Sequence, residues 1–292
     1  MLNERIDRFR LAPIVVLGVA ALSLGCTTVN AAEKQPTNDK LPGWAPQPPP
    51  NVIEDRFRVE VMMLSAGLDT DLRIDPNLAM QGTPINAEDD LGLDDSALLP
   101  LAEITLLPGD RHLIRLSGFA SRRSETKLID RTIVFDDQTY LPNERVDSEL
   151  NLTLIGLTYG YSVVKTQRAD VALTFGVQVV EVEANAVVRS RVVRDAETGV
   201  SPLPLAGIEG RFDFSSRWSA EARLQYLSVE FDEISGSVLD ARAALTWRKN
   251  PHLVFGLGYR RFAVEVDSRD DDTPGIVDLM MDGPLLFLRA SL

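Results

Sequence analysis

From residue 56 onward the chain alternates apolar and polar positions with a period of two, the signature of strands with two different faces. Over 238–248, Leu239, Ala241, Ala243, Leu245 and Trp247 share one face, and Val238, Asp240, Arg242, Ala244, Thr246 and Arg248 the other. Over 218–226, Trp218, Ala220, Ala222, Leu224 and Tyr226 oppose Ser219, Glu221, Arg223 and Gln225. The segments 171–179 and 253–260 repeat the rhythm, with Leu173, Phe175 and Val177 in the first and Phe255, Leu257 and Tyr259 in the second. No helical stripe of useful length interrupts it. Each apolar face runs for about nine residues, which is what a tilted strand needs to cross a bilayer.

The pattern predicts ten strands: 56–68, 98–107, 112–122, 149–163, 170–184, 203–214, 217–231, 237–248, 252–266 and 279–292. Merging one hairpin would leave eight. A parity change near Ile155 predicts a bulge there. The connections alternate in length. Short turns fall at Pro108–Arg111, Lys165–Asp170, Ser215–Arg217 and Lys249–Pro251; long polar links fall at 70–96, 124–146, 188–201 and 267–278, with 232–236 a short exception. Short turns at one end and long links at the other predict an all-β fold, an up-and-down antiparallel transmembrane β-barrel. Trp218 and Trp247 stand beside short turns on the apolar face, where membrane-interface aromatics belong.

Turning the polar faces inward gathers acids with arginines. The lumen set is Glu60, Glu103, Arg115, Glu209, Arg211, Glu221, Arg223, Asp240, Arg242, Arg260 and Arg289, with Arg58 beside it and no lysine. An arginine fork binds two carboxylates at once, so the set suits a shared ionic network. A narrow or plugged lumen held by that network is the expectation; the alternative is an arginine-lined path that selects anions.

Composition narrows the choices. The 292 residues carry 30 Lys and Arg against 43 Asp and Glu, a net charge of −13, which argues against a nucleic-acid partner. One cysteine permits neither an internal disulfide nor a Cys-based zinc site. The acids concentrate in the links, at Asp89, Asp90, Asp94 and Asp95, at Asp136 and Asp137, and at Asp270–Asp272. Such clusters invite a divalent-ion reading, but DDLGLDD lacks the spacing and closing Glu of an EF-hand, and a solvated surface is the simpler account. No metal and no cofactor is expected.

The N-terminal segment is laid out for export. Arg5, Arg8 and Arg10 precede an uncharged stretch from Leu11, and 1–31 is read as a signal peptide. Cleavage falls near 25/26 or 31/32. Ser23-Leu24-Gly25-Cys26 resembles a bacterial lipobox, with Ser23 where an aliphatic residue is usual, so Cys26 is the candidate lipidation site. Residues 32–51 are a Pro-rich linker, and 52–292 form the barrel.

The last strand carries a family resemblance. Leu286, Leu288, Ala290 and Leu292 alternate up to the chain end, with Arg289 and Ser291 between them and Leu292 where Phe is usual. This resembles the C-terminal signal of gram-negative outer-membrane β-barrel proteins. The resemblance implies an outer-membrane location, contact with membrane lipid and lipopolysaccharide, and recognition by the barrel-assembly machinery through the C-terminal strand. It names no ligand and no functional subfamily. Some barrels of this kind are enzymes with a histidine base. Here His112 and His252 follow short turns, away from the long links where protease-type barrels work, so a non-enzymatic role is expected. That role is envelope structure or limited passage of small molecules through the Arg/acid-lined lumen. The alternatives are a lipid-anchored, lipocalin-like binder of an apolar ligand, and a barrel enzyme acting on lipid or peptide.

Overall fold

The computed structural model describes residues 56–75, 80–135, 138–188, 193–231, 234–269 and 274–291. Chain contacts divide after Pro46, and everything described belongs to the unit Gln47–Leu292. The signal segment, Cys26 and the Pro-rich linker lie outside the described residues, as do Asp136, Asp137 and Asp270–Asp272.

Ten strands make the wall: β1 (Phe57–Ile74), β3 (Ser96–Leu106), β4 (His112–Leu128), β7 (Arg145–Lys165), β8 (Ala169–Val188), β9 (Val193–Asp213), β10 (Trp218–Phe231), β11 (Ile234–Asn250), β12 (Leu253–Ser268) and β13 (Gly275–Ser291). Each pairs antiparallel with the next, and β13 returns to β1 in register from Arg58↔Ser291 to Ile74↔Gly275. The ring of pairings closes the sheet on itself, as a spanning sheet requires because lipid offers no partner for a backbone N–H. Two small elements sit among the links. β2 (Ile85–Asn86) pairs with Asp71 and Leu72 of β1, and β5 (Ile133–Phe135) forms a hairpin with β6 (Gln138–Tyr140).

The short turns are held by their own polar side chains. Thr166 Oγ1 accepts the Ala169 N–H at 2.9 Å, Ser215 Oγ the Trp218 N–H at 3.1 Å, and Asn250 Oδ1 the His252 N–H at 3.0 Å. Gly109 takes φ +80° in the β3–β4 turn, a conformation that favours glycine.

Each wall strand turns a large apolar residue outward. Ile104, Leu116 and Leu157 stand in one row across β3, β4 and β7, and Leu245, Leu257 and Leu286 in another across β11, β12 and β13. Leu257 is 58% exposed on the bare chain. In water such a belt would be costly; against lipid it is the supporting surface. Leu257→Arg is therefore expected to destabilise the barrel in vesicles by about 2–4 kcal/mol, the cost of arginine near the bilayer midplane. Urea unfolding in phospholipid vesicles measures it, and an unchanged midpoint would mean that this face does not meet lipid.

Two sequence expectations change. No bulge occurs at Ile155: β7 alternates without interruption through it, and the register shifts lie at Ser162/Val164 and Arg248/Asn250, beside short turns. The parity appears to change because Leu150, Leu152 and Leu154 point into the barrel while Ile155 and Leu157 point out. The long links are also shorter than expected, because strand pairing continues well into them. The β8–β9 ladder runs to Val188↔Val193, β4–β7 to Leu128↔Arg145 and β12–β13 to Ser268↔Gly275. Polar composition there reports water around the strands, not unpaired backbone. Beyond Ala206, β9 pairs with β8 alone, and Pro202 and Pro204 stand on that stretch, where a missing N–H toward the open side breaks no ladder.

Candidate functional site in the barrel lumen

The lumen is layered. At the short-turn end the inward arginines and glutamates form one lattice. Glu103 on β3 accepts both ends of the Arg223 fork from β10, at 2.9 and 3.0 Å, and lies 3.6 Å from Arg115 and 3.8 Å from Arg242. Arg115 donates to Glu209 at 2.8 Å, and Arg223 lies 3.7 Å from the same carboxylate. Glu60 on β1 holds Arg242 at 2.5 Å and Arg289 at 2.7 Å, and Arg289 grips Glu221 through two bonds of 2.7 and 2.6 Å. Strands far apart in sequence are thereby tied across the lumen. Each fork shares carboxylates with its neighbours, a geometry lysine does not offer. Arg211 turns instead to Asp213, at 2.9 Å.

Every residue of the sequence-derived lumen set points inward. Asp240 and Arg260 form a separate, buried bidentate pair at 3.0 and 2.9 Å, with Arg260 directly across from Arg242 and Asp240 one step further from the short turn.

Above the lattice one side of the lumen is apolar, while on the β8–β10 side buried Gln225 donates to Thr174 Oγ1 at 3.1 Å. Met62, Leu64, Leu154, Phe262, Met281 and Leu285 are fully buried and belong to a single cluster that also takes in Phe119 and Phe287. Sequence reasoning placed the apolar residues outside and missed this layer. Phe287 joins the two regions: the Arg242 guanidinium lies 4.3 Å and that of Arg289 5.4 Å from its ring centre. Gly256 on the neighbouring strand makes room for that ring, since a Cβ there would fall 2.0 Å from Phe287 Cζ.

A third layer lies under the links. Arg123 pairs with Glu88 and donates to Thr70 Oγ1 at 2.8 Å, all three buried or nearly so. Extending the β4 parity from Arg115 would have found Arg123, but the predicted strand stopped at 122. Two small apolar clusters surround the pair, one of Ile85, Ile129, Ile133, Tyr140 and Val146, the other of Leu72, Ala87, Leu93 and Leu150. The Asp89–Asp95 run is partly committed as well: Asp90 receives Arg131 at 2.5 and 3.0 Å, and Lys127 donates to the Asp89 carbonyl. Burial alone would raise the Asp90 carboxyl, but the Arg131 and Asn86 hydrogen bonds outweigh it and hold its pKa below the ordinary 3.8.

The interface aromatics gather at the short-turn end. Trp218 and Trp247 are direct cross-strand partners, Trp247 meets Phe255 at 5.8 Å, and Phe212 meets Phe214 at 5.4 Å. His112 donates to, or accepts from, the Tyr159 hydroxyl at 2.7 Å and lies edge-on to Tyr161. His252 Nδ1 faces the Ser291 carbonyl at 3.0 Å. Both histidines stand at the short-turn rim, as the sequence indicated.

The structure resembles the outer membrane protease OmpT from Escherichia coli over 82% of this chain and 97% of that one, with a TM-score of 0.52 at 9% identity. The chain has the fold of an outer-membrane β-barrel. The translocator domain of the autotransporter NalP from Neisseria meningitidis follows at a TM-score of 0.43 and 9% identity, covering 81% of this barrel and 88% of that chain. Ail, the attachment invasion locus protein of Yersinia pestis, has a TM-score of 0.32 and 9% identity, covering 79% and 99%. No family model matches the barrel, and no curated protein matches it by sequence. The likeness is one of fold. The closed wall and the outward apolar belt are the features that such a fold presents to a bilayer.

Proposed function

We propose that this barrel is a closed, non-enzymatic component of the outer membrane, with a structural role in the envelope. The observation that carries the reading is the apolar layer at mid-height. Phe262, Leu64, Met281 and their neighbours pack the lumen between the ionic lattice below and the Arg123–Glu88 seal above. A conducting path would have to part that packing and separate charges that are already paired, and each step has a cost. The histidine contacts fit the same reading: His112 and His252 are engaged with Tyr159 and the Ser291 carbonyl at the rim, beside interface aromatics. The partners that accompany it are membrane lipid and lipopolysaccharide around the wall, and the assembly machinery at β13.

Planar-bilayer recording of the purified full-length mature protein tests the proposal. The expected trace is flat, without stable steps at voltages that leave the barrel folded. A large, stable unit conductance would overturn the closed reading in favour of small-molecule passage through the Arg/acid-lined lumen.

A further inference from the structure

We propose that the wall parts between β9 and β10 at the level of the apolar layer, and that this seam binds one acyl chain of a membrane phospholipid. The β9–β10 ladder ends at Ala206↔Tyr226. Both strands run on past that rung. β9 continues against β8 to Val188↔Val193, and β10 against β11 to Phe231↔Ile234. Among the described residues, 202–205 of β9 and 227–231 of β10 therefore have no strand partner across the seam. The fork is pinned from below, where the ring of pairings is complete. At Gly207 the two backbones come so close that a Cβ would fall 2.1 Å from the Leu224 carbonyl oxygen.

Behind the seam the lining is aliphatic. Leu203 and Leu205 are buried members of the apolar cluster. Leu227 and Val229 keep the inward parity of Arg223 and Gln225 along β10, yet Val229 is 39% exposed, where Phe262 and Leu64 of the apolar layer have no exposure. In front of the seam stands the outward belt: Pro204 and Pro202 are the partners of Val177 and Val179 on β8, both exposed on the outer face. The seam thus joins an apolar interior to an apolar exterior at one height. Its foot is closed, because Gln225, the partner of Gly207 at the fork, is buried and bonded to Thr174. An acyl chain can enter from the side without opening a path along the barrel axis.

The prolines define the occupant. Pro202 and Pro204 stand in an unbroken ladder to β8, so their ring nitrogens turn toward the seam. The N–H groups that hydrocarbon would leave unpaired are therefore absent from that edge. Carbonyl oxygens remain, and these tolerate poor pairing better than N–H groups do. Proline also blunts an edge against the addition of another strand, which argues against a peptide. A second fork, between β3 and β4, shows how this protein seals a seam with its own chain. That ladder ends at Leu101↔Phe119, and beyond it β4 bonds to the link before β3: Arg123 donates to the Asp94 carbonyl at 3.3 Å, and Lys127 to that of Asp89. Among the described residues nothing is hydrogen-bonded across the β9–β10 seam.

The probe is a phosphatidylcholine with a diazirine near the end of one chain, mixed into phosphatidylcholine vesicles that hold the full-length mature protein. After photolysis, peptide mass spectrometry reads which side chains carry the lipid. Label is expected at outward Leu257 and also at inward Leu203, Leu205 and Val229. Inward Phe262 should stay unlabelled, because the β11–β12 and β12–β13 ladders run unbroken past it. Val229→Arg should lower the label at Leu203 and Leu205 about fivefold, the effect of one charge near the membrane interface, and leave Leu257 unchanged. Heat-modifiability on gels shows whether the variant folds; where it does not, the wild-type pattern decides by itself. Label on outward residues alone, equal label at Phe262, or inward label that a folded Val229→Arg leaves unchanged would each overturn the seam site. No label at Leu257 would remove the lipid-facing wall together with the site. Stable conductance with intact inward label would remove only the closed structural reading.

Discussion

Replacing Glu103 by alanine is expected to be the most destabilising single change to the ionic lattice, at about 3–5 kcal/mol, the cost of leaving a buried charge without its partner. Glu103 is the carboxylate shared by Arg223, Arg115 and Arg242. Two of those arginines keep a good partner when it goes: Arg115 retains Glu209 at 2.8 Å, and Arg242 retains Glu60 at 2.5 Å. Arg223 does not. It loses both short bonds and keeps only Glu209 at 3.7 Å. The loss is thus the desolvation of one guanidinium, not the sum of three ion pairs. A double variant, Glu103→Leu with Arg223→Leu, should recover much of the stability, because it removes the charge and its partner together. Urea unfolding in vesicles, followed by tryptophan fluorescence, separates the two. A double variant no more stable than Glu103→Ala would show that the lattice acts through packing rather than charge pairing.

The second large effect belongs to the apolar layer. Phe262→Ala is expected to cost about 3–5 kcal/mol, the range for removing a fully buried aromatic and leaving a cavity. Phe262 has no exposure at all and lies among Met62, Leu64, Met281 and Leu285. Neighbouring side chains cannot fill the space, because the hydrogen-bonded wall on every side fixes the lumen diameter. Phe255→Ala on the outward face of the same strand gives the comparison. That ring is 41% exposed, and lipid chains can close over its absence. The expected order is a large loss for Phe262→Ala and a small one for Phe255→Ala, read from the same unfolding curves. The reverse order would mean that the lumen is held by its ionic groups alone.

The two substitutions also mark how far the sequence could be read. Inward residues such as Glu103, Arg223 and Arg289 stood out because charges alternate there with lipid-facing Leu, Phe and Trp. Phe262 did not, because an apolar residue facing lipid and an apolar residue facing a packed lumen look alike along a strand. At Leu150–Leu157 the ambiguity produced a false bulge. Arg123 is hidden for a different reason: its strand runs on past the apolar belt, and the polar residues there have the composition of a loop. The Asp-rich run at 89–95 has the composition of a solvated surface, yet Asp90 and the adjoining Glu88 are tied to Arg131 and Arg123 on a separate link and strand.

By itself, the sequence determined the strand period, the alternation of short turns and long links, and the residues that face inward wherever the two faces differ in polarity, and it narrowed the wall to ten strands or eight. These follow from the pleat, which sends successive side chains to opposite sides whatever the rest of the chain does. Only the tertiary structure decided which carboxylate meets which arginine and where the lumen turns apolar. Glu103 and Arg223 are 120 residues apart, and Glu60 and Arg289 are 229 apart. Closing the barrel sets those distances, and no local pattern records them.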